Sequence, residues 1–576
     1  MNFIKTIFLV VKFFVNEIKL LKINILYFFE ILKEFNLIYL LLEKFTSNEN
    51  FKTFRLDKIN KFTELNHKLI KQENYKSSKR IFVESFINHP VYTIQNCIIA
   101  NNASRILKRN CCGILRKGDL KAKKIFNSFG INEIIYINEG NFLIRMLNLV
   151  KAFKLLKNIE SIDKLMKLQI ENIEIGRSTY DQFLRFVKNP SIKNIGVDFY
   201  FLLAQAITLN DQFKKLFKKN KNTYLIQSET HYFPLSLCLS NAIKFGNKVI
   251  SRRGEIANIG LKIFSKKMNN YKENRNRPSK KSFNLIRNKL KKNKILIKNN
   301  NKYFDLNIGK EVFQIIKKNN QKKIFQKKKE INDYFNFDFK KPIVLILAHE
   351  LSDGNLHNSW NLFKNDLLWL EETLKKIQDI NNVNWIIKPH PSENIFKNKI
   401  KTKDVFNNYV KNKKNIVLFP DNYNIKNFHK FISVAITSHG SAGFQYPLKS
   451  IPTITCGETT CSGFGFNIEP KTKEQYFNIL KNINKIKVLS DKKIFNCFAF
   501  NYLLRYFSLE PLPITFETDI TMNYDKKKFW KKTYTLAKKN GVFYKSFYDS
   551  MKFQILNNNS YYINLKRLHK LDNHYK

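Results

Sequence analysis

The sequence contains little cysteine, and none of it has the spacing of a metal or redox motif. Seven cysteines occur among 576 residues, and no two of them form a C-x-x-C pair. This excludes a disulfide framework and a zinc module of the usual spacing. Sparse, unpaired thiols are typical of a reducing compartment, so we expect a cytoplasmic protein.

Long uncharged hydrophobic runs are also missing. The most apolar segment, residues 1–46, is interrupted by lysine and glutamate before it reaches the roughly 18 uncharged residues of a spanning helix. Its short apolar stretch, Thr6–Val11, is not followed by a small-residue cleavage site, so we expect no signal peptide. We predict amphipathic helices over residues 1–46. They either lie peripherally on the inner face of an anionic membrane or pack against the protein or a partner.

Acidic residues are scarce relative to basic ones. Lys and Arg number 102 against 46 Asp and Glu, a formal net charge of +56. Such a charge first suggests nucleic acid. The lysines are, however, spread along the chain between Asn, Ile, Phe and Tyr, as adenine–thymine-rich coding produces, and they form no patch. We therefore expect no nucleic-acid partner, although the charge favours phosphorylated substrates and anionic membranes.

From residue 81 onward, short apolar runs alternate with amphipathic stretches, which is typical of an α/β fold with a largely parallel sheet. We predict strands at 81–84, 133–137, 223–227 and 248–251. A second α/β unit has predicted strands at 344–348, 384–388, 416–419, 433–437 and 452–456. We divide the chain at changes of composition into segments 1–46, 47–265, 266–340 (a basic connector or insertion), 341–480 and 481–576 (helical).

Histidines follow three predicted strands of the second unit. His349, His390 and His439 each come within two residues of a strand's carboxyl end, where doubly wound sheets bind their ligands. His390 lies in the segment KPHPSE between two prolines, and Lys388 beside it suits a diphosphate. The alternative interpretation is that these histidines belong to the core.

The segment TSHGSAGFQYP joins a predicted strand to a helix. Its glycines allow a ligand to approach the backbone closely, and the helix start offers free N–H groups to an anion. We favour phosphate or ribose binding, which is compatible with Ser441 serving as an ordinary N-cap. The predicted binding residues are Lys388, His390, Pro391, Ser438, His439, Gly440, Ser441, Gly443 and Gln445.

Three residues are candidates for the base that deprotonates an acceptor hydroxyl. Asp353 lies four residues beyond His349. Asp181 lies in GRSTYDQFLR, and His231 lies in QSETHYF after a predicted strand. The residues alone do not choose among them.

The segment IIKPHPSE, followed by HGSAGFQYPLKSIPTITCGETTCSGFGF, resembles the bacterial capsule polysaccharide biosynthesis proteins, a family that includes Kdo transferases. It is also similar to other two-Rossmann glycosyltransferases with a His-Pro motif. The motif is His390-Pro391 here, and Gly440, Ser441 and Gly443 match the family's glycine-rich turn. Gln445 stands where the family usually has Glu; an amide still bonds a ribose hydroxyl but cannot act as a base.

The resemblance implies a GT-B architecture, in which two Rossmann-like domains face a cleft, with the acceptor on 47–265 and the nucleotide-sugar on 341–480. It implies a metal-independent glycosyltransferase without a further cofactor, using a CMP-linked donor and acting on a surface or capsular polysaccharide or a glycolipid. His390, Lys388 and Ser441 would hold the phosphate, and Gln445 the ribose. A polyol-phosphate transferase, a sugar-nucleotide epimerase and a non-catalytic basic scaffold that binds membrane or nucleic acid are the alternatives.

Overall fold

The fold is known from a computed structural model. It describes residues 11–21, 57–70, 73–138, 140–192, 195–254, 256–292, 322–338, 340–352, 360–393, 397–411, 413–425, 427–516 and 525–573. The described residues belong to two compact units. The first lies within Met1–Tyr180, Asn194–Ile250 and Leu512–Tyr544, and the second within Asp181–Lys193, Ser251–Pro511 and Lys545–Lys576.

Twelve strands are described, and they form two sheets. They are β1 Ile81–Ser85, β2 Cys111–Arg116, β3 Ile134–Ile137, β4 Tyr224–Gln227, β5 Lys248–Arg253, β6 Asn258–Phe264, β7 Ile343–Leu347, β8 Asn384–Lys388, β9 Ile416–Leu418, β10 Val434–Thr437, β11 Thr453–Thr455 and β12 Glu510–Pro511.

Helices connect and cover these strands. In chain order they are α1 (residues 11–21), α2 Asp57–Leu69, α3 Pro90–Leu107, α4 Leu120–Ser128, α5 Phe142–Lys157, α6 Ile162–Met166, α7 Ile175–Val187, α8 Val197–Lys219, α9 Leu235–Lys244, α10 Lys280–Lys292, α11 Lys328–Phe335, α12 Asp366–Ile377, α13 Thr402–Tyr409, α14 Ala442–Gln445, α15 Lys473–Lys481, α16 Asp491–Tyr502, α17 Lys526–Asn540, α18 Lys545–Leu556 and α19 Leu565–Asn573.

Both sheets have the strand order of Rossmann-like folds. The first runs β12-β6-β5-β4-β1-β2-β3, and the second runs β11-β10-β7-β8-β9. All four pairings of the second sheet are parallel, as are β1–β2, β1–β4 and β2–β3, whereas β12 pairs with β6 antiparallel. In each sheet the chain moves outward over three strands and then returns to the other side of the first one. The predicted α/β class with largely parallel sheets is confirmed.

The central strand β7 is apolar throughout because both faces of its sheet are covered. Val344 and Ile346 pack on one face in a cluster with Trp385 and the α12 side chain Leu370. The alternate residues of β7 pack on the other face with Phe419 and Phe428. Side chains of a strand alternate between faces, so burial on both sides requires an uninterrupted apolar run.

The nine predicted strands are all present within about two residues, but the sequence pattern missed β2, β6 and the two-residue β12. Strand β2 begins Cys-Cys-Gly, which does not look like a strand. Its Gly113 is required by packing, since a Cβ there would lie 2.4 Å from the Phe126 ring. Helix α12 begins at Asp366, and Phe428–Phe431 form a short 3₁₀ turn before β10. Helices α16 to α19 lie within residues 481–576.

Within the predicted amphipathic segment 1–46, only residues 11–21 are described, and they are helical. Phe13 packs on Phe142 of α5 with 5.3 Å between ring centroids, and Arg145 Nε donates to Glu17 Oε1 at 2.6 Å. Helix α1 therefore packs on its own unit. Among the described helices, none is both long enough and apolar enough to cross a membrane.

Candidate functional site

The three strand-end histidines come together at the point where the strand order of the second sheet reverses. Strand β7 lies between β10 and β8, and Leu347 pairs with both Thr437 and Lys388. Each of these three paired residues is followed two positions later by a histidine. Because the strands are parallel and in this register, His439, His349 and His390 emerge side by side at the carboxyl edge. This is the topological switch point where such sheets bind ligands.

The histidine rings are in contact. The ring centroids of His349 and His439 are 3.8 Å apart, and those of His349 and His390 are 5.7 Å apart. His390 is partly buried, and its Nδ1 accepts a hydrogen bond from Ser392 N at 3.3 Å. Burial, together with the neighbouring His349, Lys388 and His439, lowers the pKa of His390 to about 3. At neutral pH this imidazole is therefore an uncharged ring with Nε2–H available as a donor.

A buried carboxylate, Asp366, holds two of the three rings. Its Oδ2 lies 2.9 Å from His439 Nε2 and 3.3 Å from His349 Nδ1, and the residue is only 4% exposed. Burial alone would raise the pKa of Asp366, but His439 and His349 outweigh it, and the pKa falls below its ordinary value. Asp366 is the first residue of α12, after the N-cap Asn365. Sequence reasoning missed it because an acidic residue at a helix start is ordinary.

The same three residues are the set that could hold a metal ion. The ligand atoms of His349, Asp366 and His439 all lie within 4.8 Å of one another. Two imidazoles and a carboxylate are a ligand set that suits a divalent metal such as zinc. The arrangement equally serves as a hydrogen-bonded His–Asp–His group. The expectation of metal-independent chemistry stays a prediction.

Lys388 supplies a cation at the end of β8. Its Nζ donates to Pro389 O at 3.3 Å and lies 5.6 Å from the centre of the Phe419 ring. Burial, with Lys322 nearby, lowers its pKa to about 8. The ammonium is still mostly protonated at neutral pH, and an anion beside it would raise the pKa again. Pro391, which follows His390, is exposed.

The loop after β10 carries the remaining predicted binding residues. Gly440 has φ of 108°, a backbone conformation that favours glycine, and Ser438 is buried. Among the described residues, the Ser438 hydroxyl has no hydrogen-bond partner. Ser441 occupies the N-cap position of α14, but its side chain makes no capping hydrogen bond; its Oγ accepts from Gln445 Nε2 at 2.7 Å. Gly443 permits close packing, since a Cβ there would lie 3.0 Å from Cys461 Sγ.

The three candidate bases lie in three separate segments of the chain. Asp181 is buried in α7, within the second compact unit. His231 is partly buried in the segment after β4, within the first unit. Asp353 lies outside the described residues.

Two buried glutamates near the histidines were not predicted from the sequence as candidate functional residues. Glu350 directly follows His349, and its Oε1 accepts from Ser352 Oγ at 2.8 Å. Among the described residues its Oε2 has no hydrogen-bond partner. Glu393 is 4% exposed, and burial, opposed by its bonds to Thr402, raises its pKa to about 7. A carboxyl that titrates near neutrality is suited to general acid–base work, and only its burial in the folded chain reveals it.

No protein-family model and no curated protein matches this sequence. The chain is similar to several solved structures. A beta Kdo 2,4 transferase, KpsC, of Thermosulfurimonas dismutans is 12% identical, over 48% of this chain and 78% of that one, with a TM-score of 0.28. The UDP-GlcNAc 2-epimerase of Methanocaldococcus jannaschii is 14% identical over 74% and 98%, with a TM-score of 0.23. The wall teichoic acid polymerase TagF is 10% identical over 85% and 98%, with a TM-score of 0.20.

Proposed function

We propose that this protein is a glycosyltransferase that moves a sugar from a nucleotide-sugar donor to a surface polysaccharide or glycolipid acceptor in the cytoplasm. The observation that carries the proposal is the row of His439, His349 and His390 at the switch point of a parallel sheet, with Lys388 beside it. The His-Pro motif and the glycine-rich turn, which resemble those of capsule polysaccharide biosynthesis proteins, occupy this same edge.

In the proposal the edge binds the phosphate of the donor. Lys388 supplies positive charge, neutral His390 donates from Nε2, and the turn at Gly440 lets backbone N–H groups approach the anion. These groups stabilise the negative charge that accumulates on the departing nucleotide as the glycosidic bond breaks. Asp366 acts indirectly, because it orients His349 and His439 and makes no contact with donor of its own in this scheme.

The finer features of the proposal rest on the resemblance alone. They are the GT-B arrangement with the acceptor on the first domain, the CMP-linked donor, and the absence of a metal requirement. A donor phosphate held by the Lys388 ammonium and by imidazole N–H donors needs no divalent cation, so transfer should persist in the presence of a chelator. If a chelator abolishes transfer and zinc restores it, the His349–Asp366–His439 group is a metal site.

The test is a thermal-shift panel of CMP, CDP, UDP, GDP and TDP on the wild type, His390→Ala and a control, His429→Ala. His429 lies before β10, hence toward the amino edge of the same sheet. We expect one nucleotide to raise the melting temperature of the wild type and of His429→Ala, but not of His390→Ala. CMP would indicate a Kdo-like or sialic-acid-like sugar, and CDP a polyol phosphate.

Equal shifts in wild type and His390→Ala would refute the phosphate role of the histidine edge. No shift with any nucleotide would refute the donor site itself and favour the non-catalytic scaffold. Product analysis separates the reactions on one fold: a transferase releases the nucleotide and lengthens the acceptor, whereas an epimerase alters the sugar without an acceptor.

A further inference from the structure

The first compact unit exposes large apolar side chains on two neighbouring helices, α1 and α5. Most of the exposed large apolar side chains in the described chain lie on these two helices, and each is between 39% and 67% exposed. We call them the α1–α5 surface. Its members are Val11, Phe14, Val15, Ile18, Leu21, Phe142, Leu143, Ile144, Met146, Leu147 and Val150.

The apolar side chains of each helix share one side. On α5 the positions Leu143, Met146, Leu147 and Val150 follow the spacing i, i+3, i+4, i+7, and Val11, Phe14, Val15 and Ile18 of α1 repeat it. This spacing places them in a single stripe along a helix. Such a stripe normally faces a core, and contiguous apolar surface left exposed marks an interaction site.

Specific contacts hold the two helices in place. Phe13 packs against Phe142, and Arg145 pairs with Glu17. Lys12 of α1 pairs with Asp198 at the start of α8. Helix α5 is fixed to the same helix, because Asn148 Nδ2 donates to Thr208 Oγ1 at 2.8 Å. The apolar stripes therefore belong to one supported surface of the folded unit.

Exposed lysines accompany the apolar stripes. Lys19 is exposed on α1, and Lys151, Lys154 and Lys157 are exposed on α5 beyond the end of its apolar stripe. Apolar side chains beside lysines suit a bilayer interface, where the former enter the acyl region and the ammonium groups reach lipid phosphates. Docking a second copy through this surface would bring lysines against lysines, which like charge disfavours.

We propose that the α1–α5 surface docks on the surface of an anionic lipid bilayer, with α5 contributing as much as the N-terminal helix. The inference stands apart from the proposed transfer reaction, because no residue of the histidine cluster takes part. It also extends the sequence-based interpretation, which considered only residues 1–46.

The test is co-sedimentation of the full chain with vesicles of phosphatidylcholine, alone or mixed with phosphatidylglycerol. The variant is Leu143→Gln with Leu147→Gln, and the matched control is Leu556→Gln, whose side chain is 60% exposed at the end of α18. All three side chains are exposed, so the substitutions remove little core packing. We expect the wild type and the control to bind the anionic vesicles, more weakly at high salt, and the variant to bind at least about tenfold more weakly.

Three results would overturn the proposal. They are wild type that stays in the supernatant with anionic vesicles, a Leu143/Leu147 variant that sediments like the wild type, and a wild-type dimer that the variant converts to a monomer. The last would assign the surface to a second copy. A circular-dichroism melt of each variant checks folding, and the nucleotide thermal shift of the Leu143/Leu147 variant should match the wild type, which separates this proposal from the donor site.

Discussion

Replacing Asp366 by asparagine should remove a buried carboxylate that both His439 and His349 contact. Asparagine keeps the size of the side chain but carries no charge. Whichever way its amide lies, it cannot offer two imidazoles the anionic acceptor that Oδ2 provides at 2.9 and 3.3 Å. We expect the protein to fold, to be less stable, and to bind nucleotide more weakly.

The expected loss of stability follows from burial and charge. A hydrogen bond to a charged group contributes about 1.5–3 kcal/mol. Asp366 is 4% exposed and touches both rings, so we expect about 3 kcal/mol to be lost at neutral pH. Because its folded pKa lies below its ordinary value of 3.8, this contribution is present above that pH and is lost as the pH falls below it. The difference between wild type and variant should therefore shrink below a pH of about 4.

The assays are guanidinium unfolding across pH and the nucleotide thermal shift, with Asp379→Asn as control. Asp379 is exposed just beyond the end of α12, so its variant should behave like the wild type in both assays. A role limited to stability would leave nucleotide affinity unchanged once folding is complete, whereas an orienting role should weaken it about tenfold or more. If Asp366→Asn unfolds at the wild-type denaturant concentration and binds nucleotide equally well, our reasoning about the His–Asp–His group is wrong.

Two further predictions concern the same edge of the sheet. Burial raises the pKa of Glu393 to about 7 from its ordinary value of 4.5. Between these two pH values the folded chain keeps a proton on Glu393 that the unfolded chain has released. The free energy of unfolding should therefore fall as the pH rises from about 4.5 to 7. In unfolding measured across this pH range, Glu393→Gln should remove up to about 3 kcal/mol of the pH dependence. The control Glu474→Gln, at an exposed glutamate, should leave it unchanged. An unchanged dependence of stability on pH in Glu393→Gln would contradict the burial argument. Gly440→Ala should lower stability by about 1–2 kcal/mol, because alanine is strained at a φ of 108°. A clash would not contribute, since the new Cβ would lie 3.8 Å from His349, an ordinary van der Waals distance. Gly196 has φ of −81° and no atom within 4 Å of an added Cβ, so Gly196→Ala should cost less than Gly440→Ala, namely only the preference of the N-cap of α8 for glycine over alanine. Equal melting temperatures for the two alanine variants would refute the conformational argument.

Much of the fold was predictable because its strands are buried on both faces. The three central residues of NWIIK are apolar because both faces of the strand are covered, and the predicted bounds 384–388 match β8. Strand β2 was not predicted because its sequence CCGILR is adapted to close packing around Gly113. That requirement arises only in the folded chain, where Phe126 lies against Gly113. The alternating order of strands and helices was enough to predict the α/β class.

The candidate site was predictable only in part. The strand-end positions of His349, His390 and His439 follow from the order of strands and loops, so their types and places could be named in advance. Asp366 could not, because an acidic residue that begins a helix is commonplace and its meaning depends on two rings from other loops. Glu393 could not, because the shift of its pKa comes from burial, which no local pattern reports. The contact of α1 with α5 likewise joins residues far apart in the chain, such as Glu17 and Arg145.

The sequence by itself determined the parallel α/β class, the strand-end histidines and the scarcity of thiol chemistry, because periodicity, composition and chain order are local properties. Only the tertiary structure decided that β7 lies between β10 and β8, that one buried carboxylate serves two imidazoles, and that two apolar stripes share a single exposed surface. The physical reason is that register, burial and charge coupling arise between segments far apart in the chain. Those long-range relations set the pKa values and the contacts on which the proposed chemistry depends.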